Sequence, residues 1–188
     1  MLAAALVGGV AATGVLAAWS AAEFGRADFR AGTFALSSRT TEDPFVRHDA
    51  GDPATIAWPT APLFPGEATA GWVQVQSTGS VPGTVSLSGV DLGDIVPGSP
   101  EEVLRDTLRV RVSAAASPSP TPGACTIGTP GTEVVGLDSV PSLPPEPLQP
   151  AGANTVTFCI VLTLPVDAPA AAQSASLTPV WIFSGSSG

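Results

Sequence analysis

Proline and glycine interrupt this chain so often that a long helix has little room to form. Of the 188 residues, 20 are proline and 20 are glycine, and both residue types destabilise the interior of a helix. Between them lie short stretches of valine, threonine, leucine and phenylalanine in which polar and apolar positions alternate. Such stretches are typical of β-strands separated by turns. The sequence therefore predicts an all-β domain.

Eight of these stretches are long enough to form strands, a number that suits a single jelly-roll or immunoglobulin-like β-sandwich. The alternation is clearest in the seventh, where Val156, Phe158 and Ile160 share one face and Cys159 lies on the other. We expect the Phe158 face to enter the core. The predicted strands are residues 28–37, 55–58, 69–77, 83–88, 107–113, 133–136, 155–164 and 176–183.

One short helix is predicted just before the fifth strand. Ser99, Pro100 and Glu102 provide an N-cap, a proline at the first helical position and a capping-box carboxylate. We expect the helix to span residues 100–104, and a simple turn is the alternative. Two proline-rich segments, residues 114–123 and 141–152, are expected to be extended surface loops.

The N-terminal segment has the composition of an export signal. The first charged side chain is Glu23, and the preceding residues are mostly Ala, Val, Leu and Gly. This pattern predicts a signal peptide at residues 1–17, although no Lys or Arg precedes the apolar run. A retained membrane anchor is the alternative, because the run approaches the minimum of about 17 residues for a spanning helix. Residues 18–188 suffice for one β-sandwich domain.

The two cysteines, Cys125 and Cys159, are predicted to form a disulfide. Oxidising compartments outside the cytoplasm favour a bridge over two free thiols, and a pair of buried thiols is the alternative. Because Cys159 faces away from Phe158, we expect the bridge to fasten the outer face of the sandwich or a flanking loop. The predicted location is the cell surface or the extracellular space.

The charge of the chain argues against polyanionic partners. The formal net charge is −9, and all seven basic residues are arginine. Nucleic acids and anionic membrane surfaces both require clustered cations. The predicted partners are the signal peptidase during export, further copies of this chain and other surface or matrix proteins. Contact with a membrane is expected only through an uncleaved signal.

Few side chains are available for catalysis. His48 is the single histidine, and lysine and tyrosine are absent, so most of the usual general bases and nucleophiles are missing. One histidine cannot form an HExxH zinc motif, and a GxxxxGK phosphate loop needs a lysine. Residues 42–52 gather carboxylates around His48, which could hold a metal ion, but a turn-rich connection is favoured. We therefore predict no enzyme activity, no cofactor and no metal.

Four tryptophans offer a second route to function. Aromatic side chains can form a platform for a ligand such as a glycan, or they can simply pack in strands and in the core. We favour the packing role. The four residues are Trp19, Trp58, Trp72 and Trp181.

The segment that follows the predicted signal resembles a known family. Residues 18–37 read AWSAAEFGRADFRAGTFALS: a small residue, an aromatic residue, polar residues and then Phe-x-x-Gly-Thr-x-x-Leu. This order resembles the start of mature TasA and camelysin-like proteins, which are bacterial surface and biofilm-fibre proteins released by a SipW-type signal peptidase. The bias towards Ala, Pro, Gly and Arg is typical of a high-GC, actinobacterial member.

Two later segments match the same family in the same order. Residues 63–84 contain LFPGE, VQVQSTGS and VPGT, which are similar to a turn and strand pair of the family. Residues 155–183 contain TVTFCIVLTL, PVDAP and WIF, which are similar to its C-terminal ending. The resemblance implies a jelly-roll-like sandwich and signal cleavage between Ala17 and Ala18.

The predicted function is that of a secreted structural subunit of the cell surface or extracellular matrix. Fibres would form when the N-terminal strand completes a neighbour's sheet, with Phe29, Thr33, Phe34 and Leu36 as the contact residues. The alternative is an extracellular immunoglobulin-like binding module, an adhesin that recognises a glycan or a protein. Protease activity, described for camelysin, is disfavoured by the missing histidines and lysines.

Overall fold

In the part of the chain that the structure describes, the regular structure consists of eight antiparallel β-strands, one short α-helix and two single turns of 3-10 helix. The computed structural model describes residues 31–40, 44–59, 62–117 and 125–187. The predicted signal peptide, its cleavage point at Ala17 and Ala18, and the side chains of Trp19 and Phe29 lie outside these ranges. The elements are β1 (Leu36–Arg39), β2 (Ala68–Ser77), β3 (Gly83–Asp91), α1 (Pro100–Thr107), β4 (Arg109–Ser117), β5 (Thr132–Val135), β6 (Glu146–Leu148), β7 (Thr155–Thr163) and β8 (Val180–Ser187).

The strands form two sheets that share one core. The five-stranded sheet has the order β1-β2-β7-β4-β5, and the three-stranded sheet has the order β6-β3-β8. Apart from β1–β2 and β4–β5, each pair of successive strands lies in different sheets, so the chain repeatedly crosses the core. The predicted all-β sandwich with one short helix is confirmed.

The core is built from the inward faces of β2, β4 and β7 on one side and of β3 and β8 on the other. Phe158 of β7 is 1% exposed, and its neighbours two residues away, Val156 and Ile160, are also buried. These three residues belong to the core cluster, whereas Cys159 and Val161 on the other face are buried but lie outside it. The predicted inward face of β7 is therefore confirmed. The cluster also contains Val73, Val75, Val85, Leu87, Val110, Val112, Leu148, Leu162 and Trp181.

The predicted strand at residues 55–58 is wrong. These residues form an irregular segment, although Ile56 and Trp58 do pack against the core cluster. Pro53 and Pro59 flank the segment, and a proline has no N–H to donate to a ladder. The apolar residues of this segment therefore indicate burial, but they do not indicate that it pairs as a strand.

Both proline-rich segments contain strand structure, which corrects the loop prediction. Residues 114–117 extend β4 and pair with β7 up to Thr155. Within residues 141–152, β6 pairs with β3 and places Leu148 in the core at 0% exposure. Pro147 is tolerated because β6 is at the edge of its sheet, where one row of N–H groups has no ladder partner.

The first and last strands begin later than predicted. Strand β1 starts at Leu36, because residues 31–35 run beside the β2–β3 turn without joining a strand ladder. Strand β8 starts at Val180, directly after Pro179. In both cases the residues before the strand are extended, but the hydrogen-bonded ladder begins only where a partner strand lies beside them.

Helix α1 begins as predicted and runs three residues further. Ser99 is the N-cap, and its Oγ accepts a hydrogen bond from the N–H of Glu102 at 3.3 Å. The Glu102 carboxylate accepts from the N–H of Gly98 at 2.6 Å, so it reaches one residue beyond the reciprocal bond of a capping box. The two acidic residues in the first turn interact favourably with the positive end of the helix dipole.

The last turn of α1 carries a small ion-pair cluster. Arg105 lies 2.7 Å from Asp106, 3.4 Å from Glu102 and 3.6 Å from Asp138. The hydrogen bond that the guanidinium donates to Asp106 raises the pKa of Arg105, and the charges of the three carboxylates act in the same direction. The cluster joins the helix to the turn that follows β5.

Candidate functional site

The predicted disulfide is present on the outer face of the five-stranded sheet. Cys125 and Cys159 are bridged, with 5.2 Å between their Cα atoms. Cys159 is 5% exposed but belongs to the side of β7 opposite Phe158, as expected. Trp72 of β2 lies directly across from Cys159 in the ladder, so the two side chains share this face. A disulfide is typical of proteins that reside outside the cytoplasm.

The N-terminal segment packs against its own domain. The N–H of Thr33 donates to Ser80 Oγ at 3.0 Å, and the carbonyl oxygen of Thr33 accepts from the N–H of Ser80 at 2.8 Å. Leu36 and Phe34 are half-buried and pack against the core cluster. Three of the four predicted contact residues are thus in contact with the body of the same chain.

Two glycines make room for the Phe34 ring. A Cβ atom on Gly185 of β8 would lie 2.8 Å from Cε1 of Phe34, which is closer than carbon atoms approach. Gly83 at the start of β3 meets the same ring. The ring therefore occupies a seat formed by the adjacent ends of β3 and β8, in the sheet opposite β1.

Strand β1 lies at the edge of the five-stranded sheet, where side chains tie it to β2 and Val46 bridges its outer side. Arg39 Nε donates to Gln74 Oε1 at 2.9 Å, and Gln74 Nε2 donates to Thr157 Oγ1 at 3.1 Å. The Arg39 guanidinium also lies 4.6 Å from the centre of the Phe45 ring. Ser38 and Val46 exchange two backbone hydrogen bonds. This protection blunts an edge that would otherwise invite another strand.

The acidic segment around His48 forms a turn. Asp49 Oδ1 accepts from the N–H groups of Gly51 at 2.9 Å and Asp52 at 3.1 Å, as in an Asx turn. His48 Nδ1 lies 3.1 Å from the carbonyl oxygen of Asp52. Across residues 31–40, 44–59, 62–117 and 125–187, no group of three or more His, Cys, Asp or Glu side chains is placed to hold a metal ion.

The tryptophans occupy three different environments. Trp181 is 9% exposed and belongs to the core cluster. Trp58 is half-buried and packs against that cluster from the irregular segment after β1. Trp72 is half-buried on the opposite, outer face of β2. The three described indoles therefore do not form one continuous aromatic platform.

A cavity of about 620 Å³ lies between the sheets at the side where β1 and β8 meet. Residues of β1, β2 and β8 line it, and the segment from His48 to Trp58 closes one side. Its apolar lining comes from both sheets. No sequence motif indicated it, because its walls are separated by more than 100 residues along the chain.

No protein-family model matches this chain, and a search of curated proteins also finds no match. Among the residues that the structure describes, none of the helices is both long enough and apolar enough to cross a membrane. The resemblance to TasA and camelysin-like proteins therefore stays a prediction from the short motifs themselves.

Proposed function

We propose that this protein is a secreted structural subunit of the cell surface or extracellular matrix. In this proposal it is a TasA-like protein whose N-terminal strand is exchanged between neighbouring copies. The observation that carries the proposal is the placement of the segment from Thr33 to Arg39. This segment precedes the rest of the sandwich, lies at a sheet edge and packs the Phe34 ring against Gly83 of β3 and Gly185 of β8.

Strand exchange requires that the segment make the same contacts in another copy. The contacts of Thr33 with Ser80 and of Phe34 with Gly83 and Gly185 link positions more than 40 residues apart in the sequence. Ser38 also pairs with the nearby Val46, but the contacts that seat Thr33 and Phe34 come from distant residues. The segment can therefore leave one domain and occupy the same seat in an identical one, as in domain swapping. The exchange conserves the contacts, so little free energy opposes it.

The chemistry of the chain fits an assembly role. The net charge of −9 keeps an unassembled subunit soluble. The disulfide stabilises the domain in an oxidising environment. It does not tether the N-terminal segment, because neither Cys125 nor Cys159 belongs to that segment. The fibre would be held by non-covalent strand pairing, since the chain has no lysine for an isopeptide bond.

Cross-linking distinguishes exchange between copies from packing within one copy. A protein of residues 18–188 carrying both Thr33→Cys and Ser80→Cys should form a new disulfide within one chain when it is monomeric. In fibres, the same two cysteines should form the disulfide between neighbouring chains. Non-reducing gels of fibres should then show a ladder of covalent multimers, and the single variants should not. Fibres seen by negative-stain electron microscopy that give only bridged monomers would overturn strand exchange.

A second candidate function is that of an extracellular binding module. The half-buried indole of Trp72 beside the disulfide favours it, because an aromatic ring on a rigid sheet face is a suitable anchor for a glycan or a protein. Glycan-array binding that is lost in Trp72→Ala and retained in Trp181→Phe would support this role. A protein that remains monomeric at every concentration and binds such a ligand would replace the structural-subunit proposal.

A further inference from the structure

The cavity at the β1 and β8 side of the sandwich has the properties of a small-molecule site. Its volume of about 620 Å³ falls within the range of roughly 300–1,000 Å³ that is usual for ligand pockets. Strands β1 and β2 of the larger sheet face β8 and the last residue of β3 in the smaller sheet across it. Apolar side chains of these strands line it, namely Leu36, Val73, Val75, Trp181 and Phe183.

Two polar atoms in this lining lack a hydrogen-bond partner among the described residues, Ser37 Oγ and Trp181 Nε1, and of the two residues only Trp181 belongs to the core cluster. Trp181 is 9% exposed, and its indole Nε1 is buried without a hydrogen-bond partner among the described residues. Side chains two residues apart on a strand share a face, and Phe183 packs on Phe158 in the core. The Trp181 side chain therefore faces the interior, where it lines the cavity.

A buried indole N–H without a partner is expected to bind a hydrogen-bond acceptor. A buried tryptophan N–H usually finds a hydrogen-bond partner, because leaving it unsatisfied is unfavourable. The oxygen of a bound molecule would provide that partner, whereas a hydrocarbon would not. A ligand with an apolar body and one acceptor oxygen would match both the walls and the indole.

The charges at the cavity restrict the ligand further. Asp49 and Asp91 contribute carboxylates to the lining, and none of its described residues is an arginine. An anionic ligand would therefore meet repulsion without a compensating cation. His48, the third titratable residue of the lining, has its Nδ1 3.1 Å from the carbonyl oxygen of Asp52. A cation would be attracted by the carboxylates but would lose hydration among the apolar walls beside Trp181, which is costly. An uncharged ligand therefore suits the part of the cavity that contains the indole.

We infer that the cavity binds an uncharged, largely apolar small molecule whose carbonyl or ether oxygen accepts a hydrogen bond from Trp181 Nε1. Phe34 does not line this site, although Leu36, Ser37 and Ser38 of the segment proposed to exchange form part of its wall. A monomer that binds such a molecule would support the inference even if the proposed assembly role failed.

The solvatochromic dye Nile red is a suitable first probe, because it is neutral and apolar and carries a carbonyl group. The full chain should bind one dye per protein, with a blue shift of the dye emission. Ala54→Phe introduces a ring at a half-buried lining position and should weaken binding at least tenfold. Ala57→Phe, at an exposed position of the same segment that does not line the cavity, should bind like the unmodified protein.

Competition against the dye then tests the hydrogen bond. One hydrogen bond corresponds to a difference of about three- to tenfold in affinity, so 2-acetylnaphthalene should compete that much better than 2-ethylnaphthalene. Trp181→Phe should abolish this preference and leave the affinity for 2-ethylnaphthalene nearly unchanged. Trp72→Phe, on the outer face, should retain the preference.

Several results would overturn the inference. These are an absence of dye binding by the unmodified chain, equal binding by Ala54→Phe and Ala57→Phe, and a preference for the ketone that persists in Trp181→Phe. Loss of dye binding as the protein self-associates would instead assign the cavity to a second copy of the chain. If Trp181→Phe does not fold, the pair Ala54→Phe and Ala57→Phe still decides whether the cavity is the site.

Discussion

The ring of Phe158 in β7 packs on the ring of Phe183 in β8, with 4.7 Å between the ring centres and 47° between the ring planes. This tilted contact joins the five-stranded sheet to the three-stranded sheet at the middle of the core. Aromatic pairs at this spacing contribute about 0.5–1.5 kcal/mol beyond the burial of their area. The stability of the sandwich should therefore be especially sensitive to Phe158.

Phe158→Ala should lower the free energy of unfolding by about 3–5 kcal/mol, because it removes a fully buried ring and leaves a cavity. Urea denaturation followed by tryptophan fluorescence would measure the change. Val166→Ala is the control, since Val166 is 81% exposed and its truncation should change stability by less than about 0.5 kcal/mol. Equal effects of the two substitutions would contradict the assigned core.

The seat of Phe34 can be tested from both sides. Phe34→Ala should cost about 2–3 kcal/mol, less than Phe158→Ala because the ring is only half-buried. Gly185→Val should give a similar loss, since its side chain would enter the space of the Phe34 ring. Phe64→Ala is the matched control at a phenylalanine that is 62% exposed. If the two losses simply added in the double variant, Phe34 and Gly185 would not share one contact.

Removal of the disulfide should destabilise the protein without changing its fold. The bridge closes a loop with a sequence separation of 34 residues, and the loop-entropy relation gives about 3–4 kcal/mol for such a closure. Paired Cys125→Ala and Cys159→Ala substitutions should lower the unfolding free energy by that amount and leave the far-ultraviolet circular dichroism spectrum unchanged. A reducing agent should affect the unmodified protein and have no effect on the double variant.

The N-cap of α1 offers a local test. Ser99→Ala removes the hydrogen bond to the N–H of Glu102 and should reduce stability by about 1 kcal/mol. Ser99→Asp keeps an acceptor at the same position and should be close to neutral. Equal losses in both variants, measured by thermal denaturation, would mean that the serine does not act as a cap.

A glycine in the turn after β5 should resist substitution for backbone reasons. Gly136 has a φ of 95° and donates its N–H to the carbonyl oxygen of Leu108. An alanine would be strained there, and its Cβ would lie 2.9 Å from Asp138 Oδ1. Gly136→Ala should therefore cost about 1–3 kcal/mol. Gly128→Ala, at a glycine without a positive φ or a close neighbour, should be nearly neutral in the same denaturation experiment.

The sequence by itself determined the features that depend on neighbouring residues. The all-β class follows from the spacing of proline and glycine, and the inward face of β7 follows from the two-residue period of its side chains. Ser99 marked the start of α1 because capping is a contact over three residues. The outward position of Cys159 followed from the same period that placed Phe158 inside.

Only the tertiary structure decided the features that depend on distant residues. The burial of Leu148 in β6 requires the partner strand β3. The apolar segment around Ile56 packs against the core without pairing with any of the described strands. The cavity exists because β1, β2 and β8 converge on one side of the core. The free N–H of Trp181 is visible only once those walls are in place, since the number of partners around a side chain is set by packing and not by its neighbours in the chain.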